Sequence, residues 1–213
     1  MTPLWAAACG YGAAVFSVIS AFTQGRRVVR VRSTDGIATW SWILASASSI
    51  AWLAYSVSVR SPQQILANGS WMFPVAVFTW YKLIPKSRVA AQTGIVIAIG
   101  FLIFMLGIGM IAKNVPGWFG MVFSLSMTTP QVIYTLRHGR GPGISLPGWV
   151  FLTFSSFLWL MYGIGAQELP VVFNTSIGTL LALCVVIALI LDRSPQSEIT
   201  EEKLELTDDR KLL

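Results

Sequence analysis

Cutting the chain at every Asp, Glu, Lys and Arg leaves seven long uncharged runs: 1–25, 36–59, 61–81, 89–112, 114–136, 141–167 and 169–191. A helix crosses the hydrocarbon core of a bilayer with about 20 apolar residues, and every one of these runs is long enough. Seven spanning helices therefore take up nearly all of the 213 residues. Only 11% of the chain is charged and 54% is hydrophobic, against about 25% charged in an ordinary soluble domain. This excludes a soluble enzyme, a disordered protein and a disulfide scaffold. The expected fold class is an all-α integral membrane protein. Cys9 and Cys184 both fall inside predicted spans and read as small apolar packing residues.

The basic residues alternate between loops, which is how membrane topology is written. Arg26, Arg27, Arg30 and Arg32 follow the first run, and only Arg60 follows the second. Lys82, Lys86 and Arg88 come next, then Lys113 alone, then Arg137 and Arg140. One side collects nine Lys and Arg before the tail is counted, and the other collects two. The positive-inside rule puts the N-terminus outside and the C-terminus in the cytoplasm, as in a multi-pass protein of the cell membrane. No basic region precedes the first run, so a cleaved signal peptide is not expected. The net charge of +6 is spread over loops rather than gathered in one stripe, so nucleic acid is not an expected partner. The tail, 192–213, has seven acidic and four basic residues and reads as a solvated end.

The chain repeats itself. Laid over itself, 24–55 aligns without a gap on 131–162, and ten of the 32 positions are identical. They include Gln24/Gln131, Arg30/Arg137, Gly36/Gly143, Trp42/Trp149, Ser48/Ser155, Trp52/Trp159 and Tyr55/Tyr162. With a one-residue gap, Asn68 pairs with Asn174. Apolar composition alone would repeat Leu, Val and Ala, not Trp, Gln, Gly and Arg. The first three spans thus match the last three. A single span between them restores the chain's direction, giving a parallel 3+1+3 repeat about an axis along the membrane normal. The expected units are a triple-helix bundle over 1–84, a linker helix over 85–113, a second bundle over 114–191 and the tail.

Each repeat opens with a polar pair, a basic loop and a Gly-Ile helix start. The first reads Thr23-Gln24, Arg30, Gly36-Ile37, and the second Pro130-Gln131, Arg137, Gly143-Ile144. The second copy resembles the PQ-loop signature. The segments AWLAY at 51–55 and LWLMY at 158–162 are each followed by an Asn, at 68 and 174. This resembles the SWEET and SemiSWEET sugar transporters over roughly residues 4–191. The resemblance implies a uniporter of small sugars working by alternating access. It implies a pocket of Trp52, Asn68, Trp159, Asn174, Ser48 and Ser155, with Tyr55 and Tyr162 at an outer gate. It also implies hinge prolines near the polar pairs. Pro130 and Pro147 are present in the second half, whereas Thr23 and Trp40 stand at the matching first-half positions.

The residues suit a neutral polyol. An Asn amide offers donors and an acceptor, and a Trp face suits the C–H surface of a sugar ring. Trp52 and Asn68 each lie seven residues from the outer ends of their runs, roughly 10 Å deep at 1.5 Å per residue. Each feature also has an ordinary structural reading: Trp as an interfacial anchor, Asn as an interhelical bond, Ser as small packing. Loss of either Asn is expected to slow transport about tenfold or more, the order of a lost buried polar contact. No span contains Asp or Glu, and the single His138 lies in a loop, so facilitated diffusion is the simplest mechanism. Asp35 keeps a proton-coupled carrier of an amino acid or vitamin open, and a non-transporting receptor or scaffold on the same fold stays open too. No nucleotide loop, metal cluster or catalytic dyad appears, so neither an enzyme nor a cofactor is expected. The expected partners are a small neutral solute, a mono- or disaccharide, and the lipid bilayer, with homo-oligomerisation left open.

Overall fold

The computed structural model describes residues 2–31, 39–83, 87–138 and 146–191. The elements are α1 (Leu4–Val31), α2 (Thr39–Ser58), α3 (Pro62–Ser70), α4 (Met72–Phe78) with a π turn (Thr79–Leu83), α5 (Arg88–Ile111), α6 (Val115–His138), α7 (Leu146–Ala166) and α8 (Leu169–Leu191). Among the described residues four stretches are long and apolar enough to cross a membrane: Leu4–Phe22, Arg88–Ile111, Leu146–Ala166 and Leu169–Leu191. The 23 residues of α8 span about 35 Å, more than the hydrocarbon core of about 30 Å. The helices turn many large apolar side chains outward, among them Ile97, Ile103, Met110 and Leu180. That outward face is stable only in lipid.

The run at 61–81, expected as one span, is helical with an interruption at Trp71, whose backbone keeps helical angles (φ −69°, ψ −15°). Ser61 caps α3 by accepting from the Gln64 backbone N–H at 3.3 Å, and Pro62 fills the first helical turn. The helix stops at Ser70, and Trp71 joins it to α4. Pro74 explains the position. It has no N–H to donate to the Ser70 carbonyl four residues back, and its ring crowds that carbonyl. The matching helix of the second half, α8, has no proline in its interior and runs unbroken.

In each half the third element packs against both of the others. α3 touches α1 and α2, and α8 touches α6 and α7. The halves meet twice, α1 on α7 and α2 on α6. Exchange of α1 with α6 and of α2 with α7 turns one of these contacts into the other. α5 lies against α2, where Gly109 faces Ser58 and Pro116 with no room for a Cβ.

Matched tryptophans anchor the halves. Trp42 stacks on Phe78 at 4.5 Å, and Trp149 packs among Val132, Ala182, Val185, Val186 and Leu189. Both cysteines are free, and Cys184 sits on the outer surface rather than in the packed interior.

Candidate functional site

The connections α2–α3 and α7–α8 fold alike. Arg60 and Gln167 fall on one another when the repeats are aligned, and both have φ of 58°. Around them Ser61 N–H donates to the Ser56 carbonyl and Arg60 N–H to Val57, while Glu168 N–H donates to Gly163 and Gln167 N–H to Ile164. This pair of bonds ends a helix on a left-handed residue and turns the chain sharply. The turns bring the C-terminal ends of α2 and α7 beside the N-terminal ends of α3 and α8.

Two buried tyrosines pack at this end. Tyr55 and Tyr162 are 0% and 2% exposed and share a cluster with Trp52 and Val171, against which Trp159, Met121, Val59 and Ala166 pack. Each tyrosine lies edge-on to the tryptophan one turn before it, at 5.7 Å for Trp52 and 5.6 Å for Trp159. Each also lies on a glycine of the opposite half, Tyr55 on Gly117 and Tyr162 on Gly10. These glycines are themselves a matched pair in the same alignment. Extending the self-comparison into α1 and α6 would have exposed them, together with Ser17/Ser124.

A hydrogen-bond network crosses the halves here. The Tyr162 hydroxyl donates to Glu168 Oε1 at 2.8 Å and lies 2.9 Å from Ser61 Oγ. Gln64 Nε2 donates to Glu168 Oε2 at 2.5 Å and to the Tyr162 hydroxyl at 3.4 Å. The Tyr55 hydroxyl is buried and has no hydrogen-bond partner among the described residues. Gln64, Ser61 and Glu168 were invisible to repeat matching, because none has an identical counterpart in the other half.

One turn deeper sit the remaining site residues. Trp52 donates its indole N–H to Ser124 Oγ on α6 at 3.0 Å. Ser124 Oγ lies 2.8 Å from Ser48 Oγ, so Ser48 joins Trp52 through a third residue. Asn68 Nδ2 donates to Ser56 Oγ at 3.1 Å and to the Gln64 carbonyl at 3.0 Å. Ser56 Oγ in turn donates to the Trp52 carbonyl at 2.6 Å. Trp52, Ser48 and Asn68 are thus brought together. In the second half Trp159 and Ser155 are half-buried, and Asn174 Oδ1 is buried without a partner among the described residues.

Pro130 lies inside α6. Pro147 is the second residue of α7, in a first turn where a missing N–H costs no intrahelical bond. The side chains of Thr23, Gln24 and Gln131, and the whole of Asp35, lie outside the described residues.

This double-crossed bundle resembles a solved structure. A eukaryotic SWEET transporter superposes with a TM-score of 0.71, over 87% of this chain and 95% of that one, at 15% sequence identity. The chain has the SWEET fold. No family model matches it, and no curated protein does.

Proposed function

We propose that the chain is a membrane transporter carrying a small neutral sugar by facilitated diffusion. Its seven crossings form the parallel 3+1+3 plan of 1–84, 85–113 and 114–191, with the N-terminus outside and the C-terminus cytoplasmic. The observation that carries this reading is the pair of cross-half contacts, Tyr55 on Gly117 and Tyr162 on Gly10. They seal one end of a SWEET-fold bundle with residues from both halves, so rocking the halves apart would open that end. Trp52, Trp159, Asn68 and Asn174 would supply a solute between the halves with flat apolar faces and amide groups without formal charge.

A chamber lined by these groups would suit hydroxyl groups better than ions, since a lone ion there would lack a countercharge. Alternating access then needs only the seal at 55 and 162 and a second closure at the end carrying Pro130, Gln131, Thr23 and Gln24. Glucose-driven counterflow in proteoliposomes tests the reading. Accumulation of labelled sugar against its chemical gradient is the expected result. No saccharide flux from folded protein, across hexoses and disaccharides, would reject it.

One observation favours a second reading. Glu168 is a half-buried carboxylate bonded to Tyr162 and Gln64 at the seal. A carrier whose seal opens on protonation would show flux that depends on a proton gradient and loses that dependence in Glu168→Gln.

A further inference from the structure

Gln64 carries a contact across the halves that has no counterpart on the other side. It is 2% exposed and is the third residue of α3, three places after the capping Ser61. Its backbone is held from both sides. The N–H donates to Ser61 Oγ at 3.3 Å, and the carbonyl accepts from Asn68 Nδ2 at 3.0 Å. The side chain leaves its own half. Nε2 donates to Glu168 Oε2 at 2.5 Å and to the Tyr162 hydroxyl at 3.4 Å. An ionised carboxylate only accepts, so the amide must turn its nitrogen this way. The equivalent position in α8, three places after Glu168, is Val171. Val171 is buried in the tyrosine cluster and has no polar side-chain atom to send back.

The surroundings give this bond its weight. α3 packs on α1, α2 and α4, all of its own half. Across the divide its hydrogen bonds run from Gln64 to Glu168 and Tyr162, and between Ser61 and Tyr162. Glu168 is the one Asp or Glu among the described residues. Tyr55 from α2 and Tyr162 from α7 are the titratable groups that face it, and α3 adds none. Among the described residues no Lys, Arg or His pairs with it. The Gln64 amide thus donates to a carboxylate without a countercharge, and hydrogen bonds to charged groups are roughly twice as strong as neutral ones. Parting the halves at this end must break it.

We propose that Gln64 is a one-sided clasp: by bonding Glu168, its amide sets how readily the end packed by Tyr55 and Tyr162 opens. It is a positioning residue, acting through Glu168 and Tyr162. The inference rests on the transport reading above, in which the halves part at this end, and adds the bond that holds them together. The sign follows from the chemistry. Removing the amide weakens closure. Replacing it with a carboxylate sets two like charges in contact, and such a pair does not stay fully ionised. Closure would then need a shared proton.

Pulsed electron paramagnetic resonance on the full chain in lipid nanodiscs tests it. Spin labels go on Arg60→Cys and Gln167→Cys, with Cys9→Ala and Cys184→Ala. The labelled residues are exposed and sit on the matched turns, one in each half. With Gln64 in place a short distance is expected to dominate. Gln64→Leu should raise the longer distance against the short one about tenfold, the scale of a lost hydrogen bond to a charged group. Gln64→Glu should favour the longer distance at about pH 8 and the short one at about pH 5, a swing far smaller with Gln64 in place. Gln64→Glu combined with Glu168→Gln exchanges the partners, keeps one amide and one carboxylate, and should restore the short distance at both pH values. That double variant, and Gln64→Glu in acid, carry the test if Gln64→Leu does not fold. Distances left unchanged by Gln64→Leu and by Gln64→Glu in alkali would overturn the clasp, whatever the melting temperatures do. So would failure of the exchanged pair to close. Counterflow is scored apart from the distances. Sugar flux absent from a chain whose distances respond as expected would reject the sugar reading and leave the clasp standing.

Discussion

Tyr55 packs its ring on Gly117 of the opposite half, and a Cβ there would lie 2.9 Å from Tyr55 Cδ2 and 2.8 Å from Pro170 Cβ. The counterpart, Tyr162 on Gly10, is tighter, with 2.5 Å from the same virtual atom to Cδ2. Small residues let helices approach closely in membranes, where packing and not hydrophobicity drives association. Gly117→Ala and Gly10→Ala should each destabilise the chain by about 1–3 kcal/mol, the usual cost of overpacking. The check is thermal unfolding in detergent. On the proposed transport reading, in which these tyrosines close one end, both should also slow counterflow.

The two tyrosine hydroxyls predict opposite mutational signs. The Tyr162 hydroxyl joins Ser61, Glu168 and Gln64, so Tyr162→Phe should cost about 0.5–1.5 kcal/mol, the net worth of a lost hydrogen bond, since Gln64 and Glu168 still bond each other and Ser61 keeps Gln63 and the Gln64 N–H. The Tyr55 hydroxyl is buried without a partner, so Tyr55→Phe removes an unsatisfied group and should be neutral or stabilising. Melting temperatures of the two variants, measured side by side, decide it.

Arg60 and Gln167 hold left-handed backbone, with φ of 58°, at the ends of α2 and α7. Side-chain residues lose roughly 1–2 kcal/mol there and glycine does not. Arg60→Gly and Gln167→Gly should each raise the melting temperature. The sites share no partners, so the gains should add in the double variant. A fall in either would mean that the side chain contributes more than the turn.

Pro74 ends α3 by denying the Ser70 carbonyl its partner. Pro74→Ala should restore that bond and join α3 to α4. Hydrogen exchange of the amides around 71–75 should slow relative to the wild type. If the break serves the rocking of the first half, which has Thr23 and Trp40 where the second has Pro130 and Pro147, counterflow should slow as well.

Much of this architecture could be read without coordinates. Uncharged run length marked the helices, and the self-alignment marked Trp52/Trp159 and Tyr55/Tyr162 as special. The break at Trp71 could not be read, because a proline in a membrane span is often tolerated and only its neighbours decide whether the helix continues. The network of Gln64, Ser61 and Glu168 escaped too. Gln64 and Tyr162 are 98 residues apart in sequence, and no repeat match points to either Gln64 or Glu168.

The sequence by itself determined the solvent, the helices and the duplication, because run length, charge placement and residue identity are properties of the chain. Only the tertiary structure decided which groups bond to one another across the halves. Trp52 and Trp159 are identical letters at identical repeat positions. The Trp52 indole N–H reaches Ser124 Oγ because Gly120 leaves room for the ring against α6, and that approach is not written in the letters the two repeats share. Asn174 follows Glu168 by six residues where Asn68 follows Ser61 by seven, a difference of about 100° of helix rotation. An alignment gap hides that turn, and three-dimensional packing converts it into a different set of neighbours.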